Sequence, residues 1–177
     1  MEALLLSDKP IKAAVLAKDL NKDFQPVMGH ILGLARTGYI CSPEKGHYSI
    51  TSKGMVALGL PEITKEKAAA ILAYSPHDKA FHFYNEVDKP TNVHAHNLRD
   101  FAIKVEKTEV ASVEFHTKRG DFGAWFKCLG DEELAKKVEL LKKKNLDGET
   151  LRRKLHDMVQ QRYVFLANLA GQPVYTD

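Results

Sequence analysis

Cysteine and tryptophan are nearly missing from this chain: it has two cysteines and one tryptophan in 177 residues. Two cysteines make no disulfide framework, so Cys41 and Cys128 are expected to be reduced thiols and the fold must rest on a packed core. No apolar run approaches the ~20 residues that span a bilayer. The early Leu4-Leu5-Leu6 lacks the basic flank of a secretion signal. A cytoplasmic chain with no membrane partner is therefore expected. A dominant charge is lacking as well, since 26 Lys+Arg against 23 Asp+Glu leave +3, which permits nucleic-acid binding without arguing for it. There is no Cys-x-x-Cys pair, phosphate-cradling glycine loop or nucleophile motif, so neither an enzyme nor a cofactor is expected. What is present is ordinary globular material, 44% hydrophobic and 28% charged, enough to bury a core.

The first sixty residues carry the clearest pattern. A short helix over Glu2 to Ser7 stops at Asp8-Lys9-Pro10. A second, Ile11 to Leu20, points Ala14, Val15, Leu16 and Leu20 at a core, and Asn21 to Asp23 turn the chain. A third helix spans Phe24 to Thr37, with Val27, Ile31 and Leu34 on one face and Gly38 at its end. Two β-rich runs follow, Tyr39-Ile40-Cys41-Ser42 and His47-Tyr48-Ser49-Ile50, joined by a four-residue turn, Pro43-Glu44-Lys45-Gly46. Thr51-Ser52-Lys53-Gly54 then opens a capped fourth helix.

This order, with its "IT-x-x-G" segment after the hairpin, resembles the winged helix of archaeal and bacterial regulators over residues 1 to 60. The resemblance implies a DNA-binding transcriptional regulator with its third helix in the major groove of double-stranded DNA and the hairpin as a wing. Lys22, Gln25, Pro26, His30, Arg36, Lys45 and His47 are the expected contacts. Gly29 and Gly33 permit close backbone approach, which suits a sugar-phosphate rail and equally a helix of a protein partner. Seven basic against five acidic residues in this stretch give a mild electrostatic footprint. A protein-interaction adaptor reusing the same fold is the alternative.

Residues 61 to 177 read as a second, helical domain, making the fold class mainly α overall. Thr64 is placed to cap a short helix ended by Ser75-Pro76-His77-Asp78. Phe81-His82-Phe83-Tyr84 fits a short strand or a buried loop. Asn92 is expected to cap a helix with Ala95, Leu98, Phe101, Ala102 and Val105 on one face. On that helix His94 and His96 stand about 200° apart. They cannot share an ion with His116 and Asp121, so no metal site is expected. Asp121 is expected to cap a helix bearing Phe122, Trp125, Phe126 and Leu129, closed by Gly130, and Asp131 to cap the next, with Leu134, Val138 and Leu141 inward. The last helix carries Leu151, Leu155, Met158, Arg162, Phe165 and Leu169 at alternating spacings of four and three. That seam suits the core or a homodimer. Lys142-Lys143-Lys144 and Arg152-Arg153-Lys154 read as solvated helix ends.

Ser112 to Trp125 contains S-x-E-F-H-x-x-R-G-D-F-x-x-W, followed by Leu129-Gly130-Asp131 and later Gly148-Glu149 with Leu151-Arg152. In these motifs residues 64 to 170 resemble an uncharacterised domain seen mainly in archaeal proteins, a resemblance that implies no activity. Glu114, His116, Arg119, Asp121 and Trp125 form the candidate cluster. Two acids, a base and a titratable ring beside an indole suit a network of mutual bonds, a pocket for a small-molecule effector, or acid-base chemistry centred on His116 and Asp121.

Overall fold

Small residues at helical spacing decide how the chain begins. Ala13, Leu16 and Ala17 lie three and four apart and all three are buried, while Ala14, Val15 and Leu20 face solvent. Of the four residues expected inward Leu16 is so, and Ala13 and Ala17 complete the face in place of the other three. The computed structural model describes residues 1–7 and 9–175, and it is mainly helical with two small antiparallel sheets. The chain divides into two compact units, Met1–Glu62 and Ile63–Asp177.

The first unit comprises α1 (Glu2–Leu5), β1 (Ile11–Lys12), α2 (Ala13–Asp19), α3 (Phe24–Arg36), β2 (Ile40–Glu44), β3 (His47–Ile50) and α4 (Ser52–Ala57). The three strands run in the order β1-β3-β2. Ile11 and Lys12 do not open the second helix as expected. They pair with Tyr48 and His47, because β3 has a free edge there. The turn is also tighter than expected. Glu44 pairs with His47, leaving only Lys45 and Gly46 between the strands, and Gly46 takes the φ of +77° that such a turn requires. Leu4, Leu16, Val27, Ile31, Ile40 and Tyr48 close the core. Thr51 caps α4 by accepting the Gly54 N–H, and its hydroxyl donates to the Gly38 carbonyl oxygen at 2.7 Å.

The second unit is built from α5 (Lys65–Leu72), a 3-10 turn (His77–Lys79), β4 (Phe81–Glu86), β5 (Lys89–Ala95), α6 (Leu98–Lys107), α7 (Val110–Arg119), α8 (Asp121–Cys128), α9 (Glu132–Lys142) and α10 (Gly148–Ala170). Phe81, Phe83, Phe101, Phe122 and Phe126 are buried together with Trp125. Phe83 stacks on Phe101 with ring centres 5.5 Å apart, and Phe101 on Trp125 at 5.4 Å. The β4–β5 hairpin packs on α6 and α7, and α10 lies along α5, α6, α7 and α9.

Two expected caps are corrected here. Asn92 lies inside β5 at a φ of +60°, and Asn97 caps α6 by accepting the Asp100 N–H. The apolar face from Ala95 to Val105 therefore joins the end of a strand to a helix, and His94 sits on the strand. Asp121 does not cap α8 either. Gly120, left-handed at a φ of +85°, ends α7 and directly precedes α8, so no extended residue precedes Asp121 and its carboxylate is free to bond elsewhere. Thr64 and Asp131 cap α5 and α9 as expected. Within the last seam, Leu151, Leu155, Met158 and Arg162 are buried inside the unit while Phe165 is 53% exposed. Most of the residues expected at a homodimer interface thus fill their own core.

Asp131 and Arg162 form a fully buried pair, 0% and 5% exposed. Arg162 Nε donates to Asp131 Oδ2 and its Nη2 to Oδ1, both at 2.8 Å, and Nη1 reaches Glu133 Oε2 at 2.5 Å. Lys137 extends the chain of charges to Glu133 Oε1 at 3.0 Å. Burial alone disfavours the Arg162 charge, but the bonds and charges of Asp131 and Glu133 outweigh it and hold the pKa above its ordinary value.

Asp131→Ala removes a cap and two of the bonds to a buried guanidinium, leaving it Glu133 alone, so it should cost about 3–5 kcal/mol in denaturant unfolding; a loss under ~1 kcal/mol would show the network to carry little. In the first unit, a Cβ at Gly54 would collide with the Tyr39 carbonyl oxygen and the Ile50 side chain. Gly54→Ala should therefore destabilise by about 1–3 kcal/mol, with faster amide exchange in α3 and the sheet as the readout.

Candidate functional site

The α3 helix turns Val27 and Ile31 inward, which leaves Gln25, Pro26, His30 and Arg36 exposed together with Gly29 and Gly33. Among the described residues, a Cβ built on either glycine would meet nothing within 4 Å beyond its own stretch of helix. No packing inside the unit asks for glycine at these two places, and each costs about 0.5–1 kcal/mol relative to alanine in a helix. Phe24 and Leu32 are also exposed on this helix, at 45% and 44%. Lys22 precedes it and Lys45 stands at the hairpin tip, both exposed. His47 is half-buried, and its Nδ1 lies 3.3 Å from the Lys45 carbonyl oxygen.

In the second unit, the five-residue cluster expected around His116 is only partly assembled. The β4–β5 register shifts on both sides of Tyr84, so the Tyr84 backbone needs partners outside the ladder. Helix α7 supplies them. Tyr84 N–H donates to His116 Nε2 at 2.8 Å, and Ser112 Oγ donates to the Tyr84 carbonyl oxygen at 2.8 Å. An acceptor at Nε2 makes the imidazole neutral with its proton on Nδ1, which donates to Asp121 Oδ2 at 2.7 Å. Arg119 Nε donates to the same oxygen at 3.0 Å. Both ring nitrogens are thus engaged and the ring is 4% exposed, so no lone pair faces the cleft of about 390 Å³ that Arg119 and Asp121 help to line.

Glu114 and Trp125 have other work. Glu114 Oε1 accepts the Gly148 N–H at 2.8 Å, at the first residue of α10, where Asp147 makes no side-chain cap. Trp125 Nε1 donates to the Lys79 carbonyl oxygen at 3.0 Å and anchors the 3-10 turn.

That turn completes a grouping the sequence did not reveal. His82 and His94 are directly paired across β4 and β5, with ring centres 4.3 Å apart, and His77 stands 4.8 Å from each. Burial, and then the charges of His82 and His77, hold the His94 pKa below its ordinary value. The strand makes this possible. The helix expected to carry both His94 and His96 is a strand that ends at Ala95 and carries His94 alone, and it is the partner strand and the turn that supply the neighbours. A period-two reading from Lys89 to Ala95 was the signal available.

The bonds around His116 require a neutral ring, and burial, the largest influence, lowers its pKa despite the hydrogen bond and charge of Asp121. The unfolded chain therefore takes up the proton first, and stability falls as pH drops below the unfolded histidine value of about 6.5. His116→Gln should flatten that slope, while His94 keeps part of it. His116→Ala, which orphans the Tyr84 N–H, should cost about 2–4 kcal/mol in denaturant unfolding. A wild-type slope in the glutamine variant would assign the acid sensitivity to other groups.

No curated protein and no solved structure matches the chain. Residues 60–160 match the model of a family of unknown function, DUF5752. The match takes in the hairpin, the histidine trio, the His116 bonds and most of α10. As this stretch is more than half of the chain, the protein belongs to that family.

Proposed function

We propose that the first unit is a winged-helix module that docks α3 onto double-stranded DNA, and that the protein is a DNA-binding regulator. The observation that carries this reading is the outward face of α3, where Gly29 and Gly33 leave room that nothing in the unit fills. Two glycines kept at a cost to the helix let a rail of sugar and phosphate approach the backbone. The element order and the sheet order β1-β3-β2 support a winged helix, with β2–β3 as the wing. Gln25 and His30 are available to base edges, and Lys22, Arg36 and Lys45 to phosphates. His47 contributes less than expected, since its ring is turned back on the hairpin. The second unit then serves as the sensing or self-associating part.

One observation favours a protein partner instead: Phe24 and Leu32 expose apolar surface on the same helix. Salt separates the two readings. Binding to duplex DNA should weaken steeply as salt rises, and Arg36→Ala with Lys45→Ala should reduce the slope of log K against log salt by about 2. Gly29→Ala with Gly33→Ala should raise helix stability by about 0.5–1 kcal/mol per site and still weaken binding. Absence of duplex binding at low salt, with salt-insensitive capture of a protein, would retire the DNA reading.

A further inference from the structure

Three histidines from three successive pieces of chain meet at one edge of the β4–β5 hairpin. One ligand nitrogen from each of His77, His82 and His94 lies within 4.8 Å of the other two. We propose that these three residues form a site for a borderline divalent transition ion of the zinc type, bound through imidazole nitrogens.

The hydrogen bonds around the trio agree with this chemistry. His82 Nε2 lies 2.9 Å from the His77 carbonyl oxygen. A carbonyl only accepts, so that nitrogen carries the proton and the Nδ1 lone pair is left for a metal. A bond of this kind to a backbone oxygen fixes tautomer and ring orientation in metal-bound histidines. Nδ1 of His94 is shielded from water and has no hydrogen-bond partner among the described residues. A coordinated ion would satisfy such an atom, whereas an idle buried nitrogen is left desolvated with nothing in return.

The supports of the site are rigid. Cross-strand pairing aligns His82 with His94. The turn bearing His77 is tied down at Lys79 by the Trp125 indole. Lys104 bonds the His94 carbonyl oxygen, and its charge is offset by Asp100 Oδ2 at 2.9 Å. Tetrahedral zinc with metal–nitrogen bonds of 2.0–2.1 Å needs ligand nitrogens on the order of 3.3 Å apart, so small side-chain rotations close the remaining gap. His77 is exposed, which gives an ion a way in from solvent. Three neutral ligands leave a coordination position to water, as in open zinc sites. Neutral imidazoles also select zinc, cobalt, nickel or copper over magnesium and calcium, which prefer oxygen.

The test uses the full chain stripped with a chelator. Zinc titrated by calorimetry should bind at one ion per chain, and cobalt should give a visible ligand-field spectrum that zinc abolishes. His77→Ala, His82→Gln and His94→Gln should each lower zinc affinity at least about tenfold. His30→Ala and His156→Ala should leave it unchanged. Because His77 is exposed, its variant keeps the fold, as circular dichroism would check. The proposal fails if the wild-type chain shows no saturable zinc binding, or if His77→Ala binds as tightly as the wild type.

Discussion

The second unit depends on a buried ion pair between the start of α9 and the middle of α10. Asp131 and Arg162 are 31 residues apart in sequence and meet with two parallel N–H···O bonds in a place closed to water. Desolvating both charges is expensive, and only a geometry in which every lone pair and proton is used recovers the loss. Asp131 adds a third bond by accepting the Leu134 N–H that opens α9, and Glu133 and Lys137 continue the alternation of charge. A purely apolar contact would tolerate sliding by a turn. A bidentate pair does not, so a helix of 23 residues is held in one register.

From that register the rest follows. With α10 in place, its apolar side receives α5, α6 and α7, and the Glu114 carboxylate on α7 reaches the Gly148 N–H at its first residue. Helix α7 in turn brackets Tyr84 with Ser112 and His116, which secures β4 where its pairing with β5 slips. The histidine trio stands on that secured hairpin. Rigid elements position ligands more closely than loops do, and two of these three histidines come from paired strands.

The His116 group shows how a constellation with catalytic residue types comes to bond within itself and to the backbone. Aspartate, histidine and arginine lie at bonding distance as they would in a site of acid-base chemistry. The difference is the fourth participant, the Tyr84 amide, which occupies the nitrogen that a substrate would need. The trio of His77, His82 and His94 is the opposite case. There a ring nitrogen is left without a hydrogen-bond partner among the described residues, although no motif in the sequence marks it.

Local signals in the sequence determined the helices with clean caps and apolar stripes. Thr51, Thr64 and Asp131 cap where their side chains predict, because a cap is settled within four residues. The stripes on α3 and α9, and most of the seam on α10, are inward as read. Asn92 and Asp121 are equally good caps by type, and tertiary structure overruled both. Asn92 was absorbed by strand pairing with β4, and Asp121 was displaced by the left-handed Gly120 and claimed by His116 and Arg119. The histidine trio was hidden for the same reason. Its members come together only when a turn, a strand and its partner strand are folded against one another, and no periodicity along a single chain records a contact made across strands.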